Sequence, residues 1–337
     1  MREKTSIFSG RHKSSWVKDL PEMIGRSVYE RFLVCSKPEI RKTKKGDYFL
    51  SVELGDKTGR VKFNVWRVPE LEINNVLALF KQNEVYALEA TVSEYNGEPQ
   101  LAVSWSPGLL PWECKFDTTD ESKTDYFKED FVQIRERATI DYAGRMMEYV
   151  ICTINKIKQP GFLAILAHFF GNDDWISGVF KRWPAAKSYH HSYYGGLLEH
   201  VYEMLKAAES FIVAYPNIDA DLLFTGIILH DIGKLEEYKL GMQIECDEDA
   251  FLTGHIVIAV RMIDEVVRDN KIDISKEDLQ KLFHLILSHH GAVEDGFGSA
   301  VSPKLPEAIA LHYLDQLSAK VNGEYVKTLN SAPAAKE

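Results

Sequence analysis

At 337 residues, the chain has room for two domains of about 100 to 200 residues each, and it contains no apolar run near the ~20 residues that span a bilayer. Its 45% hydrophobic content argues against a membrane protein, its polar start against a signal peptide, and its four widely spaced cysteines against a disulfide framework or zinc ribbon. We therefore expect a cytoplasmic protein. The net charge of -10 is uneven, because residues 1–66 carry 15 Lys and Arg against 8 Asp and Glu, so the basic end suits a polyanion and the acidic remainder suits cations.

The first third of the chain has the pattern of a β-barrel. Residues 1–25 are polar and mildly basic without clear periodicity, which predicts a loosely ordered lead-in. Residues 26–106 then predict five strands, bounded by turn residues: Val28–Cys35, Tyr48–Leu54, Val61–Trp66, Val85–Ser93 and Gln100–Trp105. A short helix is expected at Glu70–Phe80, between the third and fourth strands. This order is the layout of an OB-fold, a small closed β-barrel.

The segment from Tyr48 to Val61 resembles the strand pair of nucleic-acid-binding OB-folds, with Asp56-Lys57-Thr58-Gly59 as the turn. Such domains stack bases on aromatic rings, at roughly 1 to 3 kcal/mol per base, and line the groove with cations. The stacking candidates are Tyr48, Phe63, Trp66 and Tyr95, and the basic candidates are Arg41, Lys42, Lys44, Lys45, Arg60 and Lys62. The alternative is that some of these aromatics are barrel core and that the lysines belong to a solvated loop.

The remainder of the chain has a helical pattern. Residues 107–140 predict a linker, because Pro and Gly end the strand pattern and a highly charged stretch without aliphatic residues follows. From residue 141 to 322 apolar residues recur at helical spacing, and residues 323–337 form a tail of small and polar residues. The predicted fold is therefore an all-β OB-fold barrel followed by an all-α helical bundle.

An apolar helix is predicted to end at the doublet His230-Asp231, followed by Gly233 and Lys234. A buried carboxylate is costly unless a charge pairs with it, and a metal ion is the candidate partner. The alternative is a hydrogen-bonded core histidine beside a helix-end aspartate. Eight of the eleven histidines lie between His190 and His290, and imidazole with carboxylate is a ligand set that suits divalent transition metals.

These residues resemble the extended pattern H…HD…H…HH…D of the HD phosphohydrolase superfamily. The resemblance implies seven metal ligands: His200, His230, Asp231, His255, His289, His290 and Asp315. Seven ligands are too many for one tetrahedral zinc and suit two divalent ions that share Asp231. The first ion would take His200, His230, Asp231 and Asp315, and the second would take Asp231, His255 and one or both of His289 and His290.

In addition to Asp231, three further side chains are candidates for a catalytic role. His190 and His191 precede Gly195-Gly196 and the first ligand helix, so one imidazole could lie over the metals as a general acid for the leaving oxygen. The alternative is that both only hydrogen-bond the turn. Lys234 would neutralise a phosphate oxygen, although a lysine in this position is also commonly solvated. Two cations that share a water favour phosphodiester hydrolysis as the leading hypothesis.

The combination of both domains resembles the YhaM family of 3′-5′ exoribonucleases over residues 16–320. The pieces that carry the resemblance are Asp56-Lys57-Thr58-Gly59, Lys187–His200 and Ser302–Lys320. It implies metal-dependent removal of nucleotides from single-stranded RNA, with single-stranded DNA left open, and manganese as activator, with magnesium, iron, cobalt or nickel as alternatives. A homo-oligomer is left open. The chain departs from the family pattern at Ala292–Ala300, Leu314 and Ser318, near the expected site.

Two other functions use parts of the same pattern. An HD-type nucleotide or cyclic-dinucleotide phosphohydrolase would need the same metals, but residues 295–300 lack the Tyr-Pro ending of the cyclic-dinucleotide enzymes and the OB-fold would be idle. A non-catalytic RNA-binding protein would need only the barrel, and the complete ligand set argues against it.

Overall fold

The computed structural model describes residues 8–107, 111–115, 124–132, 135–136, 140–171, 175–187 and 189–331. The chain forms two compact units, Met1–Gln133 and Ile134–Glu337. Parts of the predicted linker and the last six residues of the predicted tail lie outside the described residues. In the described part of the chain, no helix combines the length and the apolar character that crossing a membrane requires.

The first unit is a closed β-barrel. Its strands are β1 Ser27–Val34, β2 Glu39–Lys42, β3 Tyr48–Asp56, β4 Gly59–Val68, β5 Val85–Tyr95, β6 Glu98–Ser104 and β7 Trp112–Glu113. The order β1-β3-β4-β6-β5 closes because β5 pairs again with β1, while β2 pairs with β3 and β7 with β5. Only the pair β4 and β6 is parallel among these strands. A turn of 3-10 helix at Glu70–Glu72 and helix α1 at Ile73–Leu77 join β4 to β5. This is the predicted OB-like barrel.

Residues 8–25, which precede the barrel, are ordered, in contrast to the loose lead-in that the sequence predicts. Val17–Met23 forms a 3-10 helix, and its Leu20 is buried in the barrel core. Lys13 is buried too: its Nζ donates to the carbonyl of Arg31 and lies 3.4 Å from Asp56 Oδ2. The prediction is wrong for residues 8–25 because their polar side chains pair with groups that are distant along the chain.

The second unit is a helical bundle. Its helices are α2 Ile140–Ile154, α3 Pro160–Phe170, α4 Gly196–Ala214, α5 Ala220–Leu229, α6 Lys234–Glu237, α7 Glu248–Asp269, α8 Lys276–Ser288 and α9 Pro306–Ser331, with a π-helical turn at Ile176–Phe180. Short 3-10 helices occupy Lys128–Asp130, in the first unit, and Val293–Asp295. A hairpin that the sequence analysis did not predict, β10 Tyr238–Leu240 with β11 Ile244–Cys246, lies between α6 and α7, and β8 Arg135–Glu136 pairs with β9 Tyr193–Tyr194.

Helix α5 is the centre of this bundle. The Asp219 side chain caps it by accepting a hydrogen bond from the Leu222 N–H, and every residue from Leu222 to Leu229 is buried. The helix packs against α2, α3, α4, α8 and α9. A helix that is apolar on all sides belongs in a core. Its C-terminal end therefore delivers His230 and Asp231 into the middle of the unit.

Candidate metal centre

The histidines at the ends of α5 and α8 are oriented by backbone carbonyls. Nδ1 of His230 lies 2.8 Å from the carbonyl oxygen of Ile227, and Nδ1 of His289 lies 2.7 Å from that of Ile286. A carbonyl oxygen only accepts hydrogen bonds, so each Nδ1 carries the proton and donates it. Both side chains are buried, and within the described part of the chain neither Nε2 atom makes a hydrogen bond.

The side chains of His200, His255 and Asp315 meet this pair around Asp231. Nε2 of His230 lies 3.2 Å from Asp231 Oδ2, and that of His255 lies 3.5 Å from Oδ1. Nε2 of His200 lies 3.1 Å from Asp315 Oδ1. His255 begins the second segment of α7, after a break at Gly254, where φ is 73°. Side chains from α4, α5, α7, α8 and α9 therefore converge on one carboxylate.

Buried atoms without a partner show that a cation fits this place. Within the described part of the chain, Nε2 of His200, His230, His255 and His289 and Oδ1 of Asp231 are buried and make no hydrogen bond. Buried polar atoms are nearly always satisfied, so five in one cluster call for a bound group. Imidazole nitrogens and carboxylate oxygens are suitable ligands for Mn²⁺, Fe²⁺, Co²⁺, Ni²⁺ or Zn²⁺.

The ligand atoms form overlapping groups rather than a single tetrahedron. His200, His230 and Asp315 form one group, and His230, Asp231 and His289 form another, each with ligand atoms within 4.8 Å of one another. His255, His289 and His290 form a third group. The structure thus brings all seven predicted ligands together. The groups overlap at His230 and His289, as a site for more than one ion would.

The charge of Asp231 is balanced by a cation of the protein itself. Lys234 is buried and its Nζ donates to Asp231 Oδ2 over 2.6 Å, so it is neither solvated nor at the edge of a pocket. Burial would raise the pKa of Asp231, but Lys234 and His230 hold it well below its usual range. Burial also opposes the charge of Asp315, whose pKa is nevertheless lowered by His200. Both carboxylates are therefore ionised at neutral pH.

Most of the clustered imidazoles are neutral, which is the form that binds metals. Burial lowers the pKa of His200 to about 4 and that of His289 well below its usual value. The pKa of His290 is lowered as well, first by burial and then by His255. His230 is the exception: burial would lower its pKa, but the adjacent Asp231 carboxylate outweighs burial and raises it.

The loop before α4 places His190 and His191 beside this cluster. The rings of His190 and His200 are 5.4 Å apart, and the ring of His191 is 5.2 Å from that of His200. Both imidazoles therefore lie next to the candidate ligand His200. The pKa of His190 is lowered to about 3 by burial and by the charge of Lys234, so its imidazole is neutral near pH 7.

Three supporting side chains escaped the sequence analysis. Glu237 on α6 lies 3.0 Å from Nδ1 of His255, and Ser318 on α9 lies 2.9 Å from Nδ1 of His200. Glu203 on α4 accepts a hydrogen bond from the Ser318 hydroxyl. No local sequence pattern identifies them. Their contacts join residues on different helices, and a glutamate or serine is common on any helix. The only sequence signal was Ser318, noted as a departure from the family pattern.

The candidate RNA-binding residues lie on the barrel, and one of them, Phe63, has to be removed from the set. Phe63 is 1% exposed and packs edge-on against Phe80, so it belongs to the barrel core and is wrong as a stacking residue. Strand alternation explains this, because Val61 and Val65 share its inward side. Trp66 is half-buried and stacks on Phe49 at 4.5 Å between ring centres, an aromatic partner that the sequence analysis did not include.

The other predicted contacts on the barrel are at least partly accessible. Tyr48 is half-buried with the Lys42 ammonium 4.4 Å above its ring, and Tyr95 is 67% exposed. The exposed basic residues are Arg41, Lys42, Lys44, Lys45, Arg60 and Lys62. Two of them already pair with carboxylates, Arg41 with Glu39 and Arg60 with Glu53. A cavity of about 470 Å³ lies beside Trp66, lined by Ser27, Glu89, Ala90, Thr91, Ala102, Val103 and Ser104.

Comparisons with known proteins agree with this geometry. The HD domain family matches residues 197–320, which contain all seven clustered ligands. The 3′-5′ exoribonuclease YhaM of Halalkalibacterium halodurans is 31% identical over 300 residues, covering 89% of this chain and 85% of that protein. The proteins of the same name from Shouchella clausii and Bacillus velezensis are 32% and 31% identical, over 81% and 88% of this chain and 78% and 86% of their own lengths.

Proposed function

Because this chain belongs to the YhaM family of 3′-5′ exoribonucleases and is a metal-dependent hydrolase, we propose that it removes nucleotides from the 3′ end of single-stranded RNA. The observation that carries the proposal is the set of five buried, unpartnered ligand atoms around Asp231. A protein that only binds RNA has no use for such a cluster. Single-stranded DNA is a second candidate substrate, which the same experiment can test.

We assign the ligands to two divalent cations, with Mn²⁺ as the expected ion. His200, His230, Asp231 and Asp315 would hold one ion, and Asp231, His255, His289 and His290 would hold the other. The bound ions supply Lewis acidity, which activates the attacking water and stabilises the charge on the phosphate and the leaving oxygen. The clustered carboxylates and neutral imidazoles are pre-arranged for that purpose.

The protein's own groups have distinct tasks in this scheme. Asp231 would be shared by both ions, and the Lys234 ammonium donates a hydrogen bond to its Oδ2. Lys234 also brings a positive charge close to the position of the phosphate, which favours a bound anion. His190 is neutral near pH 7, so it can give a proton from one ring nitrogen to the leaving oxygen only if its other ring nitrogen gains a proton in the same step. Such a path passes through its neighbour His191, whose Nδ1 lies 3.3 Å from Nδ1 of His190.

On the barrel, the stacked pair Trp66 and Phe49 supplies an aromatic surface for a base, and Lys42 with Tyr48 supplies a cation beside a second ring. The adjacent cavity has hydroxyl groups of Ser27, Thr91 and Ser104 in its wall, which can hydrogen-bond a base or a ribose. Phosphates would lie along the exposed lysines and arginines. This arrangement would bind single strands through the faces of their bases rather than through the grooves of a duplex.

The test is a time course on single-stranded RNA and DNA labelled at the 5′ end, with Mn²⁺, with chelator and with the variant Asp231→Asn. We expect RNA to shorten from its 3′ end only with metal and only with the unchanged chain. The matched control is Asp264→Asn, an aspartate of α7 that pairs on the surface with Arg268 and should leave cleavage unchanged. Intact RNA despite bound Mn²⁺ would contradict the proposal, and free nucleotides and cyclic dinucleotides would then be tested as substrates.

A further inference from the structure

A chain of polar contacts runs behind His200, on the side away from Asp231. Nδ1 of His200 lies 2.9 Å from the hydroxyl of Ser318, and that hydroxyl lies 2.7 Å from Oε2 of Glu203. His200 and Ser318 are buried, at 0% and 6% exposure. We propose that Ser318 and Glu203 are positioning residues that keep the proton of His200 on Nδ1 and thereby present Nε2 to a metal. This inference rests on the proposed function in taking His200 as a metal ligand.

The argument is a count of protons. A serine hydroxyl has one proton, and a carboxylate only accepts, so Ser318 donates its proton to Glu203. The Ser318 oxygen can then only accept from His200, and Nδ1 of His200 must carry the hydrogen. A neutral imidazole has one N–H, so with the proton on Nδ1 the Nε2 atom keeps a free lone pair.

Asp315 competes for the same proton from the other side. Its Oδ1 lies 3.1 Å from Nε2 of His200, a distance at which an N–H would donate to the carboxylate. With the proton on Nδ1, Nε2 of His200 and Oδ1 of Asp315 face each other as two acceptors. That arrangement is favourable only when a cation lies between them. Ser318 and Glu203 thus select the metal-binding tautomer over an imidazole–carboxylate hydrogen bond.

The same carboxylate also contacts the loop before α4. Oε2 of Glu203 lies 3.2 Å from Nε2 of His191, and Nδ1 of His191 lies 3.3 Å from Nδ1 of His190. His191 is fully buried and has a φ of 47°, a left-handed conformation that is unfavourable for a residue other than glycine. Its backbone N–H is fixed by a hydrogen bond to Asn322 Oδ1. Strain of this kind persists where surrounding contacts hold it, and it is common at functional sites.

The backbone around His191 also leaves little room for another arrangement. A Cβ added to Gly196 would lie 2.0 Å from the carbonyl oxygen of His191, so only glycine fits there. The Ala185 N–H donates to that same carbonyl. Oε2 of Glu203 therefore lies beside His191 and also accepts the hydrogen bond from Ser318, the residue that contacts the candidate ligand His200.

The first test measures metal affinity rather than activity. In a calorimetric Mn²⁺ titration of the full chain, Ser318→Ala should weaken binding about 10-fold to 100-fold, the usual cost of losing a hydrogen-bond partner of a metal ligand. Ser318→Thr keeps the hydroxyl and should restore most of the affinity. The control Thr153→Val removes a buried hydroxyl that bonds the Tyr149 carbonyl within α2, and it should bind as the unchanged chain does. Equal affinities for Ser318→Ala and the unchanged chain, with both folded, would overturn the proposal.

The second test needs neither metal nor RNA, so it remains decisive if the proposed activity fails. Nitrogen-15 spectra of the histidine side chains in the metal-free protein report which ring nitrogen is protonated. His200 should be protonated at Nδ1 in the unchanged chain and should change to Nε2 in Ser318→Ala, where Asp315 is the remaining acceptor. Glu203→Gln should give a mixture, because an amide can donate to Ser318 as well as accept. The proposal is wrong if His200 carries its proton on Nε2 in the unchanged chain.

Discussion

At the scale of single residues, the candidate metal centre consists of side chains in which one polar atom makes a hydrogen bond and the other makes none within the described structure. Nδ1 of His230 and Nδ1 of His289 donate to carbonyls of their own helices, whereas both Nε2 atoms are unpartnered within the described structure. Asp231 accepts a hydrogen bond from Lys234 at Oδ2, and no described residue donates to its Oδ1. The unpartnered atoms have lost their hydration without gaining a hydrogen bond, and a bound divalent ion would offset that cost in free energy.

Acid should destabilise the metal-free protein, because its buried histidines resist protonation. His200 and His190 have pKa values of about 4 and about 3 when folded, against an ordinary value of 6.5. Between pH 6.5 and 5 the unfolded chain therefore binds more protons, and each such histidine lowers the free energy of unfolding by roughly 2 kcal/mol. Their contribution is complete above pH 6.5. His230, with its raised pKa, offsets part of this loss because its contribution is present at low pH and fades as the pH rises.

Urea unfolding in chelator at pH 7.5, 6.5 and 5 measures this dependence. His200→Asn should show a smaller loss of stability over the same range, because one of the resisting imidazoles is gone. A free energy of unfolding that stays constant or rises as the pH falls from 6.5 to 5 would show that the buried histidines are not neutral in the folded state.

Lys234 should matter most when no metal is bound. Lys234→Met leaves Asp231 buried without its closest cation, and removal of one partner of a buried pair costs about 3 to 5 kcal/mol. We expect a lower free energy of unfolding in chelator and a larger stabilisation by Mn²⁺ than in the unchanged chain. The control Lys281→Met breaks a surface pair with Glu277 and should change stability by less than about 1 kcal/mol. Equal effects of the two variants in chelator would refute this role.

At the scale of helices and strands, the end of α5 determines where the ligands meet. The turn after Asp231 passes close to α7, and a Cβ on Gly233 would lie 2.0 Å from the carbonyl oxygen of His255 and 2.8 Å from the Ala259 nitrogen. Both obstacles are backbone atoms, which cannot rotate away. The absence of a side chain at Gly233 therefore fixes the distance between the doublet and His255.

Gly233→Ala should push α7 away from the end of α5 and displace His255. We expect a lower melting temperature together with weaker Mn²⁺ binding, since the same displacement affects packing and a candidate ligand. Gly144→Ala is the matched control, because a Cβ there meets no atom within 4 Å and alanine favours a helix interior by roughly 1 kcal/mol. Thermal unfolding and calorimetry of both variants test this. Normal Mn²⁺ affinity in Gly233→Ala would mean that α7 does not set the geometry of the centre.

The predicted ligands could be found from the sequence because they match the pattern of the HD phosphohydrolase superfamily, and local rules place some of them at helix ends. His289 and His290 follow a helix that begins with the cap residue Ser275, and Gly291 ends it with a φ of 99°. Phe63 was misplaced because alternation tells which residues share a side of a strand, but not which side faces the core. Contacts such as that between Glu203 and Ser318 join residues 115 positions apart, and no local pattern encodes them.

At the scale of the whole molecule, the excess of basic residues and the candidate metal ligands lie in different parts of the chain. The excess of basic residues lies in residues 1–66, which form much of the barrel, and the clustered ligands all lie in residues 200–315 of the helical unit. In the proposed function, the basic side chains of residues 1–66 would attract the RNA backbone, and the carboxylates and imidazoles of the helical unit would bind divalent cations. Defects in the two units should therefore change different kinetic constants.

Trp66→Ala should weaken RNA binding without abolishing cleavage. Loss of one stacked base costs roughly 1 to 3 kcal/mol, which corresponds to about a 5-fold to 150-fold higher Kd. We expect KM on long single-stranded RNA to rise by a similar factor while kcat stays near that of the unchanged chain, because the helical unit is intact. Asp231→Asn should do the reverse, binding RNA normally in a fluorescence anisotropy titration but cleaving none. Tyr29→Ala is the control, since it removes an exposed aromatic residue of β1 that is not among the candidate contacts. If Trp66→Ala and Tyr29→Ala bind RNA equally well, the surface around Trp66 is not where the strand is held, and the charged loop that contains Lys44 and Lys45 is the next surface to test.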